Sequence, residues 1–233
     1  GTGGDSSGSF NVSTTAALVV AGAGVTVAKH GNRAMSSSCG SADVLEALGV
    51  KIDLSPNGVE ICLKEVGFGF MFAQRYHPSM RFAAGPRRDI GIRTVFNILG
   101  PLTNPAGARA YLIGVADPTV GEKMAQVLAT LGSERALVVH GMDGLDEVTL
   151  GGDTKVWELK DESIASYTIS PEQLGLARAP IESLRADGVD GSARIVREVL
   201  GGAQGPQRDV VLMNAAATLM AADWVASLSD GVE

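Results

Sequence analysis

The chain has 233 residues, 45% of them apolar and 19% charged, enough to bury one sizeable core. Its formal charge of -7 argues against a general nucleic-acid role, since a local basic patch would have to work against an unfavourable overall field. Two distant cysteines and three histidines give no Cys/His metal spacing and fit a reducing cytoplasm, while the longest apolar run, residues 16–28, is interrupted by Gly22, Gly24 and Thr26 and is too short to cross a bilayer.

In chain order, residues 1–8 are rich in glycine and serine and lead through Asn11-Val-Ser-Thr-Thr into a small apolar stretch at 16–24, which reads as a loop feeding a buried helix. Residues 25–28 predict a short strand ended by the polar turn Lys29-His-Gly-Asn. Ser41 is placed to cap a helix over 42–48, with Gly49 just past its end. Helical spacing through Val59, Leu63 and Val66 predicts a helix over 56–66, and the continuous apolar run 68–73 a buried strand. A strand, helix, strand series follows at 111–116, 118–131 and 135–140. The β-favouring residues of 155–169 are split by Asp161-Glu162, which predicts an antiparallel pair at a sheet edge. Helices are expected over 192–200 and 210–228. The sum is an α/β fold with a mixed, mostly parallel central sheet flanked by helices, one domain over 1–233 whose two ends both look cut.

Several clusters could carry chemistry. In Gly1-Thr-Gly-Gly-Asp5 the missing Cβ atoms let backbone N–H groups close around phosphate oxygens, and the helix that follows turns its positive end towards the same place, with Asn11, Ser13 and Thr14 nearby. A glycine cluster alone can equally be a tight turn. Lys29, His30, Asn32 and Arg33 stand at the predicted C-terminal end of a strand, where open α/β sheets gather ligands; elsewhere such a run would be surface decoration. Asp146-Glu147 follows the strand ending at His140. Adjacent carboxylates repel unless a cation neutralises them, and Mg²⁺ favours one or two carboxylates plus substrate phosphates, although in most loops such a pair is simply solvated. His77 precedes Pro78-Ser-Met, and Arg87, Arg88 and Arg93 differ in helical phase, so only some can face one site; one guanidinium there could grip a carboxylate in bidentate fashion, against the alternative of surface ion pairs.

Read together, GTGGD, FNVST, KHGNRAMSS, GSADVLEALGV, HPSM, RRDIGIRTVFNILGPLTNPA and GLDE occur in the order found in the anthranilate phosphoribosyltransferase family, which the chain resembles closely from Gly1 to about Glu147 and more loosely beyond. Ser9, Met35 and Ser79 depart mildly from the family pattern. The resemblance implies a Mg²⁺-dependent transfer of 5-phosphoribosyl from phosphoribosyl pyrophosphate to the amine of anthranilate, in tryptophan biosynthesis. It implies that Gly1, Gly3, Gly4, Asp5, Asn11, Ser13, Thr14, Lys29 and Ser41 line the phosphoribosyl pyrophosphate site and that Ser13, Asp146 and Glu147 surround the metal. By the same resemblance His30, Asn32, His77 and Arg87 receive anthranilate, with Arg87 on its carboxylate, and no residue acts as an obligatory acid or base. By the same resemblance, family members carry a helical domain before the glycine loop, absent from these 233 residues, which closes over the site and supplies a homodimer interface.

Two rival readings remain. Pyrimidine nucleoside phosphorylases share the architecture but resemble GTGGVGDK and KHSGR, whereas this chain has GTGGDSSG and KHGNR. A non-catalytic homologue that binds nucleic acid should lose the carboxylate pair and gain positive charge, and neither is seen.

Overall fold

A computed structural model describes residues 2–3, 5, 7–34, 38–90 and 94–233, without the side chains at 84, 86–88, 90, 96 and 97. Helix α1 (Val12–Gly22) leads to β1 (Val27–Gly31) and α2 (Ser41–Ala47). Then come α3 (Pro56–Val66), β2 (Phe68–Phe72), the single turn α4 (Ala73–Tyr76), α5 (Arg81–Ile90) and α6 (Phe96–Leu102). A crossover unit follows, made of β3 (Ala110–Gly114), α7 (Gly121–Thr130) and β4 (Arg135–Gly141). The hairpin β5 (Thr154–Lys160) and β6 (Ser163–Ile169) and the helices α8 (Gly188–Leu200), α9 (Pro206–Ala221) and α10 (Leu228–Val232) complete the chain.

The expected mixed α/β class holds, with one refinement to the sheet. Among the described residues, β1 and β2 form a parallel pair of their own, and β3-β4-β5-β6 form a second sheet in that order. Of the four pairings, β1–β2 and β3–β4 are parallel while β4–β5 and β5–β6 are antiparallel, so the parallel pairings do not predominate. The larger sheet is covered on both faces. Alternation along β4 sends Leu137 and Val139 into a core shared with α1, α8 and α9, and Ala136 and Val138 into a second core with Met124, Ala125 and Leu128 of α7. Every residue of β4 is buried, as a strand between two helical layers requires.

Several expectations about element ends are corrected. The first helix begins at Val12 rather than near 16, its first i to i−4 bond running from Thr15 N to Asn11 O, so Ser13 and Thr14 lie in its first turn. The first strand runs through Gly31, because pairing with β2 continues over Lys29↔Phe70, His30↔Met71 and Gly31↔Phe72; Lys29 and His30 are strand residues, not turn residues. The cap of α2 is Gly40, since Asp43 Oδ2 accepts from Gly40 N at 3.0 Å while Ser41 Oγ donates to Asn32 O at 3.4 Å. The helix expected over 210–228 breaks at Asp223, which has a φ of 53°.

Candidate active site

The glycine loop is laid across the C-terminal end of β3: Thr2 N donates to Gly114 O at 2.8 Å, and Gly3 N donates to Asp146 Oδ2 at 2.5 Å. That second bond joins segments 143 positions apart. It depends on Gly114, because a Cβ built there would lie 1.6 Å from the carbonyl oxygen of Asp146. Only a glycine lets the acidic loop rest against β3.

Asp146 and Glu147 are both buried at 7% exposure. Burial, together with the neighbouring Glu147 and Asp5 carboxylates, pushes the Asp146 carboxyl up to about 7. Lys29 comes to the same place from β1. Its ammonium is driven below the ordinary value by burial, an effect that the Glu147 carboxylate partly offsets, and its Nζ stands 3.4 Å from Ser13 Oγ on α1. Gly3, Asp5, Asp146, Glu147, Lys29 and Ser13 are thus one connected cluster, contributed by the glycine loop, by the segment that follows β4, by β1 and by the first turn of α1.

A second group adjoins Lys29. The rings of His30 and His77 meet edge to face with centroids 4.9 Å apart, and the Nε2 atom of each is buried without a hydrogen-bond partner. Burial, then the His77 ring, holds His30 below its ordinary value. Asn32 lies just beyond β1, its Oδ1 accepting from Arg33 N at 2.9 Å and from Gln74 Nε2 at 3.4 Å. Arg33, expected to meet a ligand, is instead turned onto α2, paired with Asp43 and Glu46 at 2.9 Å each. Gly1 and Gly4 lie outside the described residues, as does the Arg87 side chain, although residue 87 belongs to α5.

The remaining candidates are placed less directly. Asn11 is held by Ser192 of α8, whose Oγ donates to its Oδ1 at 2.8 Å, and its Nδ2 donates to Cys39 O at 3.4 Å. Thr14 is fully buried and its hydroxyl lacks a partner. Ser41 adjoins Asn32 through the bond already described.

Sequence reasoning missed several residues that build this region. Phe10 N donates to Leu184 O and Ala186 N to Gly8 O, so segment 184–186 straps the exit of the glycine loop, although 156–205 carries no motif. Asn104 Nδ2 donates to Ala28 O at 3.0 Å, supporting β1. Asn214 interrupts the otherwise apolar run 210–217 of α9; a polar residue in the middle of such a run is itself a signal, since buried polar groups require partners.

The paired carboxylate oxygens are donors that suit a hard divalent cation. Buried carboxylates resist their own charge unless a cation offsets it, and Asp146 and Glu147 are both buried. Mg²⁺ is characteristically held in this manner, by one or two carboxylates completed by phosphate and water.

Comparison with known proteins agrees. The family model described as "Glycosyl transferase family, a/b domain" matches residues 1–233. The anthranilate phosphoribosyltransferase of Thermomicrobium roseum is 59% identical over 236 aligned positions, covering 100% of this chain and 68% of its own length. The crystal structure of the Thermus thermophilus enzyme of that name superposes with a TM-score of 0.94 at 50% identity, covering 99% of this chain and 69% of that one. The Saccharomyces cerevisiae enzyme, solved in complex with phosphoribosyl pyrophosphate and Mg, gives a TM-score of 0.88 at 31% identity over 99% of this chain and 65% of that one; its complex with 4-fluoroanthranilate gives 0.88 at 29% over the same shares. Fold, cluster and relatives converge: the chain belongs to the anthranilate phosphoribosyltransferase family, and with it to the glycosyltransferases.

Proposed function

We propose that residues 1–233 form one α/β domain that transfers 5-phosphoribosyl from phosphoribosyl pyrophosphate to the amine of anthranilate, giving N-(5-phosphoribosyl)anthranilate and pyrophosphate. The observation that carries this reading is the hydrogen bond from Gly3 N to Asp146 Oδ2, which joins the glycine loop to the acidic loop.

In this reading Gly1, Gly3, Gly4, Asp5, Asn11, Ser13, Thr14, Lys29 and Ser41 bind phosphoribosyl pyrophosphate. The half-buried Lys29 and the first turn of α1 supply positive potential to phosphate, and the partnerless Thr14 hydroxyl is a further donor. Ser13, Asp146 and Glu147 would hold Mg²⁺. Bound there, the ion would stabilise the charge that grows on the departing diphosphate. His30, Asn32, His77 and Arg87 receive anthranilate. His30 orients the amine, and an aromatic amine is already an uncharged nucleophile at pH 7, so the site needs to position it rather than deprotonate it beforehand; the proton left on nitrogen after the C–N bond forms leaves to solvent or to the departing pyrophosphate. The cation-rich segment at 87–88 gives the anthranilate carboxylate a bidentate partner in Arg87.

A cytoplasmic setting and a homodimer belong to the same proposal. No helix among the described residues is long and apolar enough to cross a membrane.

The test is a steady-state assay of this 233-residue chain with both substrates and Mg²⁺, following loss of anthranilate fluorescence. Turnover that stops in EDTA is the expected result. Phosphorolysis of thymidine or uridine without any use of anthranilate would overturn the proposal in favour of a nucleoside phosphorylase.

A further inference from the structure

The two carboxylates sit in a short segment pinned on both sides by hydrogen bonds to the side chains of Asn214 and Asp143. On one side is Asn214, in the middle of α9 and fully buried. Its Oδ1 accepts from Val148 N at 3.0 Å, and its Nδ2 donates to Val148 O and to Val210 O, each at 2.8 Å. The amide therefore pairs with residue 148 through both backbone groups, as an adjacent strand would, and residue 148 directly follows Glu147. Both of its N–H donors and one lone pair are used in doing so.

On the other side is Asp143. Its Oδ1 accepts from Leu145 N at 3.3 Å, and its Oδ2 accepts from Thr149 Oγ1 at 2.6 Å. Gly141 N donates to Leu145 O at 2.9 Å, closing the turn. Thr149 is held in its own right, its N donating to Thr154 Oγ1 and its Oγ1 accepting from Gly151 N, both at 3.0 Å. Residues 145, 148 and 149 are thus fixed to the scaffold, and the two residues between the pins are Asp146 and Glu147. A Leu or Met would fill the space in α9 with less desolvation cost, so packing alone gives no reason for an amide there.

We propose that Asn214 and Asp143 are positioning residues for the acidic pair: they hold its backbone so that both carboxylates stay turned to one cation. This rests on the reading of Asp146 and Glu147 as cation ligands. Outer groups that orient metal ligands typically change metal affinity about 10- to 100-fold when removed.

The test is calorimetric titration with phosphoribosyl pyrophosphate in Mg²⁺ and in EDTA, on the wild type and on Asn214→Ala, Asp143→Ala and Asp143→Asn, with melting curves for each. The wild type should bind more tightly in Mg²⁺; if it does not, the cation reading of the carboxylates fails before the variants are considered. Given that gain, Asn214→Ala and Asp143→Ala should reduce it by about tenfold or more while affinity in EDTA is kept. Asp143→Asn retains an acceptor for Leu145 N and a partner for Thr149, and should keep most of the gain. Variants that melt at lower temperature yet show the full wild-type gain would reduce both residues to a structural role and overturn the proposal. Should Asn214→Ala fail to fold, Asp143→Ala decides the matter, since Asp143 stands in a loop outside the apolar cores.

Discussion

Gly114 shows how much of the site depends on single atoms. Nothing in the sequence separates it from any other residue of a buried strand, yet a methyl group there would occupy the position of the Asp146 carbonyl oxygen. Backbone cannot yield as a flexible side chain can, so Gly114→Ala should displace the acidic loop, lower stability by about 1–3 kcal/mol, and weaken Mg²⁺-dependent binding of phosphoribosyl pyrophosphate. Thermal melting and calorimetry on the one variant check both; a variant with wild-type melting and binding would contradict the close approach. Lys29, Asp146 and Glu147, by contrast, are singled out by their chemistry in the sequence, and the structure gathers them into one cluster. Arg33 escapes the same logic. Its guanidinium is drawn to Asp43 and Glu46, and ion pairing across a loop leaves no mark in local sequence.

At the scale of elements, periodicity locates the middle of the chain well. The helix at 56–66, the crossover from 111 to 140 and the hairpin split at Asp161-Glu162 all stand where apolar spacing predicts them. Element ends are less legible because tertiary contacts decide them: β1 runs on through Lys29 and His30 since β2 lies alongside, and α1 starts early since Asn11 O is available to Thr15 N. The hairpin also carries a testable cost. Asp161 and Glu162 have φ values of 49° and 62°, a left-handed conformation that an Asn-Gly pair adopts with less strain. Exchanging them for Asn and Gly should add about 1 kcal/mol, raising the melting temperature by roughly 2–4 °C, with no effect on substrate binding. A lower melting temperature would show that the two side chains contribute more than the turn strain costs.

For the molecule as a whole, the cluster is assembled from distant pieces, and this is where sequence reading has least purchase. The glycine loop is strapped by residues 184–186, Asn11 is held by Ser192, and the acidic loop is fixed by Asn214, all from the part of the chain that carries no recognisable motif. The strap at 184–186 acts through backbone groups, and Ser192 and Asn214 act through side chains whose partners lie far off in sequence, so local sequence does not mark any of them. The central claim is that two loops, distant in sequence, close on one divalent cation bound with a diphosphate. Paramagnetic broadening by Mn²⁺ of the backbone amide signals reads this directly, with phosphoribosyl pyrophosphate present and absent. The account predicts that Gly3 and Glu147 broaden together, and far more strongly once phosphoribosyl pyrophosphate is added. Broadening at only one of the two loops, or at neither, would contradict it.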